Sequence, residues 1–248
     1  MRLFGLIGYP LSHSFSKKYF AEKFEKEGIT DCHYENFPIE TIQEIPKLLK
    51  EYPSLEGLNV TIPYKEQVLP FLHSKNSIVE AINASNCITI KNGQLRGHNT
   101  DVAGFEQSLQ PLLQPWHKNA LILGTGGASK AVEYVLEKKG ISYLYISRYP
   151  GKGRITYDKV TSAVMVKYSL IINTTPVGMY PAVDEAPPIP YEGLTESHYL
   201  FDLVYNPEKT LFLKKGEERG GAIKNGQDML IIQAEESWKI WNDGGNGY

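Results

Sequence analysis

Apolar residues in this chain fall alternately into short runs and helical stripes, the pattern of strands and helices taking turns. The first run, residues 2–8, predicts a strand that ends in Gly8-Tyr9-Pro10 and then a polar loop, Ser12-His13-Ser14-Phe15-Ser16. Phe20 and Phe24 lie one helical turn apart, so residues 17–27 predict a helix that Gly28 stops. A second strand is expected over 32–37. Ile42, Ile45, Leu48 and Leu49 then mark a helix in which Pro46 comes early enough to leave at most a mild kink. Residues 58–62 read as a short third strand, and one or two helical stretches are expected over 66–83. Asn92-Gly93, set between 87–90 and 94–98, is the dipeptide that best supports the positive-φ pair of a tight hairpin. A helix bearing Val102, Phe105 and Leu109 follows. Neither short repeats nor low-complexity tracts interrupt the alternation, so two α/β units are the economical architecture, with a boundary near Asn99.

The second unit is organised around one stretch. Leu121-Ile122-Leu123 breaks directly into Gly124-Thr125-Gly126-Gly127-Ala128-Ser129. That is a strand, a tight turn and a helix start, in which glycines let a pyrophosphate approach the backbone and the helix N-terminus offers unpaired N–H groups. Ser129 stands where a third glycine would bring helix and strand closest, which predicts slightly looser packing. Val132, Val135 and Leu136 give residues 130–139 an apolar face, Gly140 is placed to cap it, and 141–147 read as the next strand, completing a βαβ unit. At the tip of that strand, about 20 residues past the glycines, an NAD enzyme places a carboxylate to hold the ribose diol. This chain has Ser147, Arg148 and, four further on, Lys152. A guanidinium and an ammonium attract a 2′-phosphate, so the segment points to NADP rather than NAD. The bland alternative is an ordinary turn carrying two solvated basic residues.

Composition narrows the partners. With 248 residues and 42% hydrophobic content the chain can bury one large or two modest cores. A formal net charge of −2 leaves no basic footprint for nucleic acid or an anionic membrane, so the expected partner is a small molecule. Cys32 and Cys87 lack the spacing of a disulfide scaffold or zinc site and are expected as free buried thiols. His13, His33, His73, His98, His117 and His198 have no metal spacing either, and no metal is expected. No apolar run approaches the roughly 18 residues of a membrane span, residues 1–10 lack a signal-peptide layout, and a cytoplasmic protein is expected.

Polar residues gather where strands of the first half end: Ser14 and Ser16, Asn59, Thr61 and Lys65, Asn86, and Asn99 with Asp101. Open α/β sheets bind ligands at such ends, and hydroxyls and amides at fixed points suit a ligand with several hydroxyls. Each residue alone is an ordinary cap or turn residue; their joint placement is the signal.

The segments Gly8-Tyr9-Pro10-Leu11-Ser12-His13-Ser14-Phe15-Ser16, Asn59-Val60-Thr61-Ile62-Pro63-Tyr64-Lys65 and Asn99-Thr100-Asp101 resemble the signature segments of shikimate dehydrogenases. The resemblance continues through the glycine loop, Asn173-Thr174-Thr175-Pro176-Val177-Gly178-Met179, Asp202-Leu203-Val204-Tyr205-Asn206-Pro207, and Gly226-Gln227-Asp228-Met229-Leu230 up to Gln233. It implies two α/β domains with a cleft between them: a substrate domain over 1–99, completed by a C-terminal helix in 226–248, and a Rossmann-like NADP-binding domain over 100–225. By the same resemblance Lys65 and Asp101 match the catalytic pair. Ser14, Ser16, Thr61, Asn86, Tyr205 and Gln233, with Lys65 and Asp101, match substrate-holding positions. Gly124, Thr125, Gly126, Gly127, Ala128, Ser147, Arg148, Lys152, Thr174, Leu203 and Gly226 match cofactor positions, the last two beside the nicotinamide.

The implied activity is reversible reduction of 3-dehydroshikimate to shikimate by hydride from NADPH, in a monomer or homodimer. Lys65 would act as acid–base group or as electrostatic clamp. A quinate/shikimate dehydrogenase using NAD or NADP and a non-catalytic NADP sensor are the rival readings. Arg148 with Lys152 argues against NAD, and the intact set of Lys65, Asp101, Asn86 and Gln233 argues against the sensor. Three departures from the family pattern stand out. Lys17 replaces the usual proline, Ser147 replaces the asparagine before the NADP-binding arginine, and the short path from Arg148 to Ile171, which holds Gly151 and Gly153, is expected to lack the helix usual after the second nucleotide-domain strand. Trp238 and Trp241 are expected on the apolar face of the last helix, ahead of a frayed, glycine-rich end over 242–248.

Overall fold

A computed structural model describes residues 1–11 and 14–243. Contacts divide the chain into two units, one running to Thr100 and resuming at Ala234, the other Asp101–Gln233. His13 and most of the expected frayed end lie outside the described residues.

The first unit holds β1 (Arg2–Gly8), α1 (Phe15–Glu27), β2 (Cys32–Pro38), α2 (Ile45–Glu51), β3 (Leu55–Val60), β4 (Ser74–Lys75), α3 (Ser77–Ile82), β5 (Cys87–Lys91) and β6 (Gln94–His98). They form a six-stranded sheet in the order β2-β1-β3-β5-β6-β4. β1 runs parallel to β2 and β3, while β5 is antiparallel to β3 and β6. Ile7, Leu58, Val60 and Ile88 pack with Ile45 and Leu48 of α2 in one core. Phe4 and Leu6 pack with Phe20, Phe24 and Tyr34 in another. The second core is closed by the end of the C-terminal helix (Gln227–Asn242). Trp241 stacks on Phe4 with ring centroids 4.9 Å apart, and its indole N–H donates to the Ile88 carbonyl at 3.0 Å. Trp238 packs against the same cluster, as its helical spacing from Trp241 predicts.

Three boundaries differ from the sequence expectation. Helix α1 begins at Phe15 because Ser14 caps it, accepting from the Lys17 N–H at 3.4 Å. Strand β3 spans Leu55–Val60 instead of 58–62: Leu55 pairs with Leu3, while Thr61 already donates outside the ladder to the Ile7 carbonyl, with Pro63 close behind. The expected helical cover of 66–83 is reduced to a 3₁₀ turn at Leu69–Phe71, built on Pro70, and to α3, with the two-residue β4 between them. Asn76 starts α3 by accepting from Val79 N–H at 3.0 Å. Pro46 sits in the first turn of α2, where a missing N–H costs nothing.

The second unit holds α4 (Asp101–Leu109), β7 (Asn119–Leu123), α5 (Gly127–Lys138), β8 (Ser142–Ser147), β9 (Arg154–Thr156), α6 (Ser162–Lys167), β10 (Leu170–Asn173), β11 (Tyr199–Asp202), α7 (Leu211–Glu217), β12 (Ala222–Lys224) and the start of α8 (Gln227–Asn242), whose residues from Ala234 on belong to the first unit. The sheet is parallel throughout, ordered β12-β11-β10-β7-β8-β9. Strand order thus reverses between β7 and β10, the doubly wound arrangement whose switch point receives ligands. Leu121, Leu123, Ile146, Ile171, Leu200 and Phe212 centre its core. Helix α5 starts three residues earlier than expected. Gly140, at φ +66°, follows its end and donates to the Glu137 carbonyl, and Ile141 N–H returns to Leu136 O, a close that favours glycine.

The path after Arg148 is as short as the sequence implies. Among the described residues no helix stands between β8 and its parallel neighbour β9, and a 3₁₀ turn (Tyr157–Lys159) and the short α6 lie between β9 and β10. Gly153 at φ +71° and a bridge from Gly151 to Arg154 make the reversal.

Candidate active site

In the first unit the loops at the carboxyl ends of β1 and β3 are tied together, since Tyr9 N–H donates to the Ile62 carbonyl at 3.2 Å. Thr61 and Lys65 therefore sit directly beyond the sheet. Lys65 occupies a turn fixed on both sides. Its carbonyl accepts from Ser85 N–H at 2.8 Å, and the preceding Tyr64 is buried with its hydroxyl on the Ile39 carbonyl at 2.7 Å. The Lys65 side chain stays half-buried.

Beneath these loops runs a buried polar network. Ser16, on the first turn of α1, lies close to the Tyr34 hydroxyl. Tyr34 donates to Asn59 Oδ1 at 2.8 Å, and Asn59 Nδ2 donates to Ser237 Oγ at 2.9 Å and to the Asn86 carbonyl at 3.3 Å. Asn86 in turn accepts from Thr100 N–H at 2.7 Å and donates to Thr100 Oγ1 at 3.0 Å. The expected substrate residue Asn86 is thus joined through Asn59 to Tyr34, beside which Ser16 lies, and the Asn86–Thr100 clasp fixes the chain one residue before Asp101. Tyr34, Thr100 and Ser237 were not legible as site residues. Each reads locally as a strand or helix residue, and only the tertiary network brings them together. Lys17, at the position of the usual proline, forms an ion pair with Glu35 on β2, and this holds the Glu35 carboxyl below its ordinary pKa.

In the second unit, Gly124 sits at φ +103°, and a Cβ there would come within 2.7 Å of Thr175 Cγ2 and 2.9 Å of Thr174 Oγ1. Glycine is required for the two neighbouring loops to meet. Thr174 pins the junction, its N–H and hydroxyl both donating to the Leu123 carbonyl at 2.9 and 2.8 Å. A Cβ at Gly126, by contrast, would meet nothing within 4 Å among the described residues beyond its chain neighbours. No side chain caps the first turn of α5. Thr125 is exposed, and Gly127 and Ala128 are half-exposed. Ser129 is buried, and its hydroxyl donates to the Gly126 carbonyl at 2.7 Å, so the extra side chain is absorbed within the turn. Ser147 accepts from Tyr149 N–H at 3.4 Å, while Arg148 and Lys152 are exposed at the carboxyl end of β8.

A second buried network lies at the ends of β10 and β11. Asp202 accepts from Asn173 Nδ2 at 3.0 Å, Val204 N–H at 3.0 Å and Thr210 Oγ1 at 2.6 Å. Asn173 accepts from Thr175 N–H at 3.1 Å. Two loops and the start of α7 are thereby fixed by one carboxylate. Leu203 follows directly, and its carbonyl leaves no room for a Cβ at Gly226, so these two expected nicotinamide-side residues are in contact. Tyr205 is half-buried, and burial raises its hydroxyl pKa. Gln233, on α8, is buried near Gly104 of α4, and Asp101 is the buried first residue of α4.

Burial pushes the Asp202 carboxyl up to about 6, against the donors that favour its anion. The folded protein therefore binds this proton more tightly than the unfolded chain, whose Asp titrates near about 4. Stability from this group is present at low pH and is lost as pH rises through about 6. Asp202→Asn is expected to remove that slope, so the gap in Tm between variant and wild type should change between about pH 4 and 6 and then level off. Parallel melting profiles across this range would refute the assignment.

No helix among the described residues is long and apolar enough to cross a membrane, and no group of three or more His, Cys, Asp or Glu residues among them could hold a metal ion. Cys32 and Cys87 are free and buried, and burial pushes the Cys87 thiol up to about 12.

A parallel sheet of this order with a glycine turn at its switch point defines a dinucleotide-binding α/β protein. Comparison with known proteins narrows the class. The family described as "Shikimate dehydrogenase substrate binding domain" matches residues 6–88. A shikimate dehydrogenase (NADP+) of Halothermothrix orenii is 36% identical, covering 96% of this chain and 89% of its own length. One of Carboxydothermus hydrogenoformans is 34% identical, with 97% and 91% covered. The crystal structure of the shikimate 5-dehydrogenase of Thermus thermophilus, in complex with NADP(H) and shikimate, superposes with a TM-score of 0.85 at 30% identity, covering 98% of this chain and 94% of that one. The chain belongs to the shikimate dehydrogenase family.

Proposed function

We propose that this protein catalyses the reversible, NADP-dependent reduction of 3-dehydroshikimate to shikimate. The observation that carries the cofactor half is the tip of β8, where Ser147 to Gly153 contains two exposed cations and no carboxylate. A 2′-phosphate is attracted there, and no acid is present to hold a free ribose diol. Gly126 leaves space for the pyrophosphate, and the uncapped first turn of α5 supplies N–H donors.

NADPH supplies a hydride to the ring ketone carbon, and the carbonyl oxygen must gain a proton. Lys65 is the donor or the cation that stabilises the developing oxyanion, and Asp101 is the second member of the catalytic pair. Ser14 and Ser16 grip the carboxylate, while Thr61, Asn86, Tyr205 and Gln233 hold ring hydroxyls. Leu203 and Gly226 line the nicotinamide side. In this reading residues 1–99 with 226–248 form the substrate domain and 100–225 the NADP domain. A cytoplasmic location accords with two free thiols, and the protein acts as monomer or homodimer.

The test is an assay of the purified protein for shikimate-dependent reduction of NADP+ and, separately, NAD+. Turnover with NADP+ and little with NAD+ is expected; no turnover with either would leave the sensor reading in its place. Quinate carries an added hydroxyl on a tetrahedral carbon beside Ser14 and Ser16, and stranding it costs roughly 1 to 3 kcal/mol. kcat/KM for quinate should therefore lie at least about tenfold below that for shikimate. Comparable values would make this a quinate/shikimate dehydrogenase.

A further inference from the structure

Strand β9 opens with Arg154, whose Cα pairs with Tyr145 in parallel register, so both side chains stand on one face of the sheet. That face is the one α5 covers, because the Tyr145 hydroxyl donates to Glu133 on α5 at 3.0 Å. In a doubly wound sheet a crossover helix between β8 and β9 would continue this cover, and none stands there among the described residues. The Arg154 side chain instead folds against the loop above it. A Cβ built on Gly151 would come within 2.7 Å of Arg154 Nη2 and 2.8 Å of Cζ, and Arg154 N–H donates to the Gly151 carbonyl at 3.2 Å.

The guanidinium is unmatched where it lies. Its Nε is buried with no hydrogen-bond partner, and no ion pair to Arg154 forms among the described residues. The nearest acid in sequence, Asp158, faces Lys159 at 3.5 Å. A buried charged donor left without an acceptor is destabilising, and a ligand oxygen would relieve it. Gly151 lies between Arg148 and Lys152, the two cations assigned to the 2′-phosphate.

We infer that Arg154 is a third cationic contact of the 2′-phosphate, reaching it from the sheet side in the space the absent helix leaves, while Arg148 and Lys152 close from the solvent side. This inference rests on the NADP reading above. Planar guanidinium donors match phosphate oxygens in pairs, which makes Arg154 a specificity determinant and not only a general attraction.

Calorimetric titration with 2′,5′-ADP and with 5′-ADP separates the two ideas. Wild-type protein is expected to prefer 2′,5′-ADP. R154A should weaken 2′,5′-ADP about tenfold or more while leaving 5′-ADP unchanged, and R154K should recover part of the loss. R154Q is measured alongside, so that loss of fold in one variant leaves the other to decide. If wild type discriminates and R154A or R154Q keeps the full preference, this inference falls and the NADP reading stands. Equal weakening of both ligands would make Arg154 structural and also overturn it. No preference in the wild type would remove both.

Discussion

Lys65→Ala is expected to lower kcat by about 10²- to 10⁴-fold, the usual cost of losing a positioned proton-transfer group. The turn that carries Lys65 is held by its backbone carbonyl and by buried Tyr64, neither of which the substitution touches. NADPH binding should therefore be unchanged, and a fluorescence titration of the cofactor would verify it. Asp101→Asn should also cut the rate severely, because the amide keeps the shape but loses the negative charge assigned to the catalytic pair. Asp101 is the buried first residue of α4, where an anion near the helix start contributes up to about 2 kcal/mol. A loss of rate far above the loss of stability distinguishes chemistry from folding. Near-normal turnover in both variants would show that the roles are misassigned.

Replacing Arg148 and Lys152 together by Ala is expected to weaken NADPH roughly 10- to 100-fold and NADH little, since the two cofactors differ only in the phosphate. The range follows from competing magnitudes. Exposed ion pairs contribute about 0.2 to 1 kcal/mol, whereas well-formed charge-assisted hydrogen bonds contribute about 1.5 to 3. Both side chains are exposed in the free protein, but Arg148 lies near the half-buried Tyr157 hydroxyl, whose burial-raised pKa it opposes. The ratio of kcat/KM for NADPH to that for NADH is the quantity to measure. Equal losses for both cofactors would mean that these side chains do not read the phosphate.

Features set by local chemistry were legible in the sequence. Asn92-Gly93 forms the expected hairpin with positive φ at both residues, and the strand–glycine–helix unit at Leu121 stands as read. The short path after Arg148 was legible from its length alone. Segment 66–83 was not, because Pro70 and the Asn76 cap break an apolar pattern that by itself suits a helix. The two buried networks were hidden for another reason. Asn173 and Asp202 lie 29 positions apart, and Asn59 and Ser237 lie 178 apart. Single polar residues at strand ends look alike whether they cap a turn or hold a buried partner, and only the packing of sheet and helix brings the partners together.

The route of the last helix has a consequence for synthesis. Residues up to Gln233 contain a whole second unit, but the aromatic core of the first unit lacks its closing piece until Trp238 and Trp241 have been made. On the ribosome, the earlier-made half of the chain is therefore the later to finish. Phe4, Phe20 and Tyr34 stay without their indole cover while the glycine-loop unit already has every residue it needs. A chain cut short before Trp238 would carry a complete nucleotide-type sheet beside an unsealed aromatic face, the kind of exposed apolar surface that chaperones and proteases recognise.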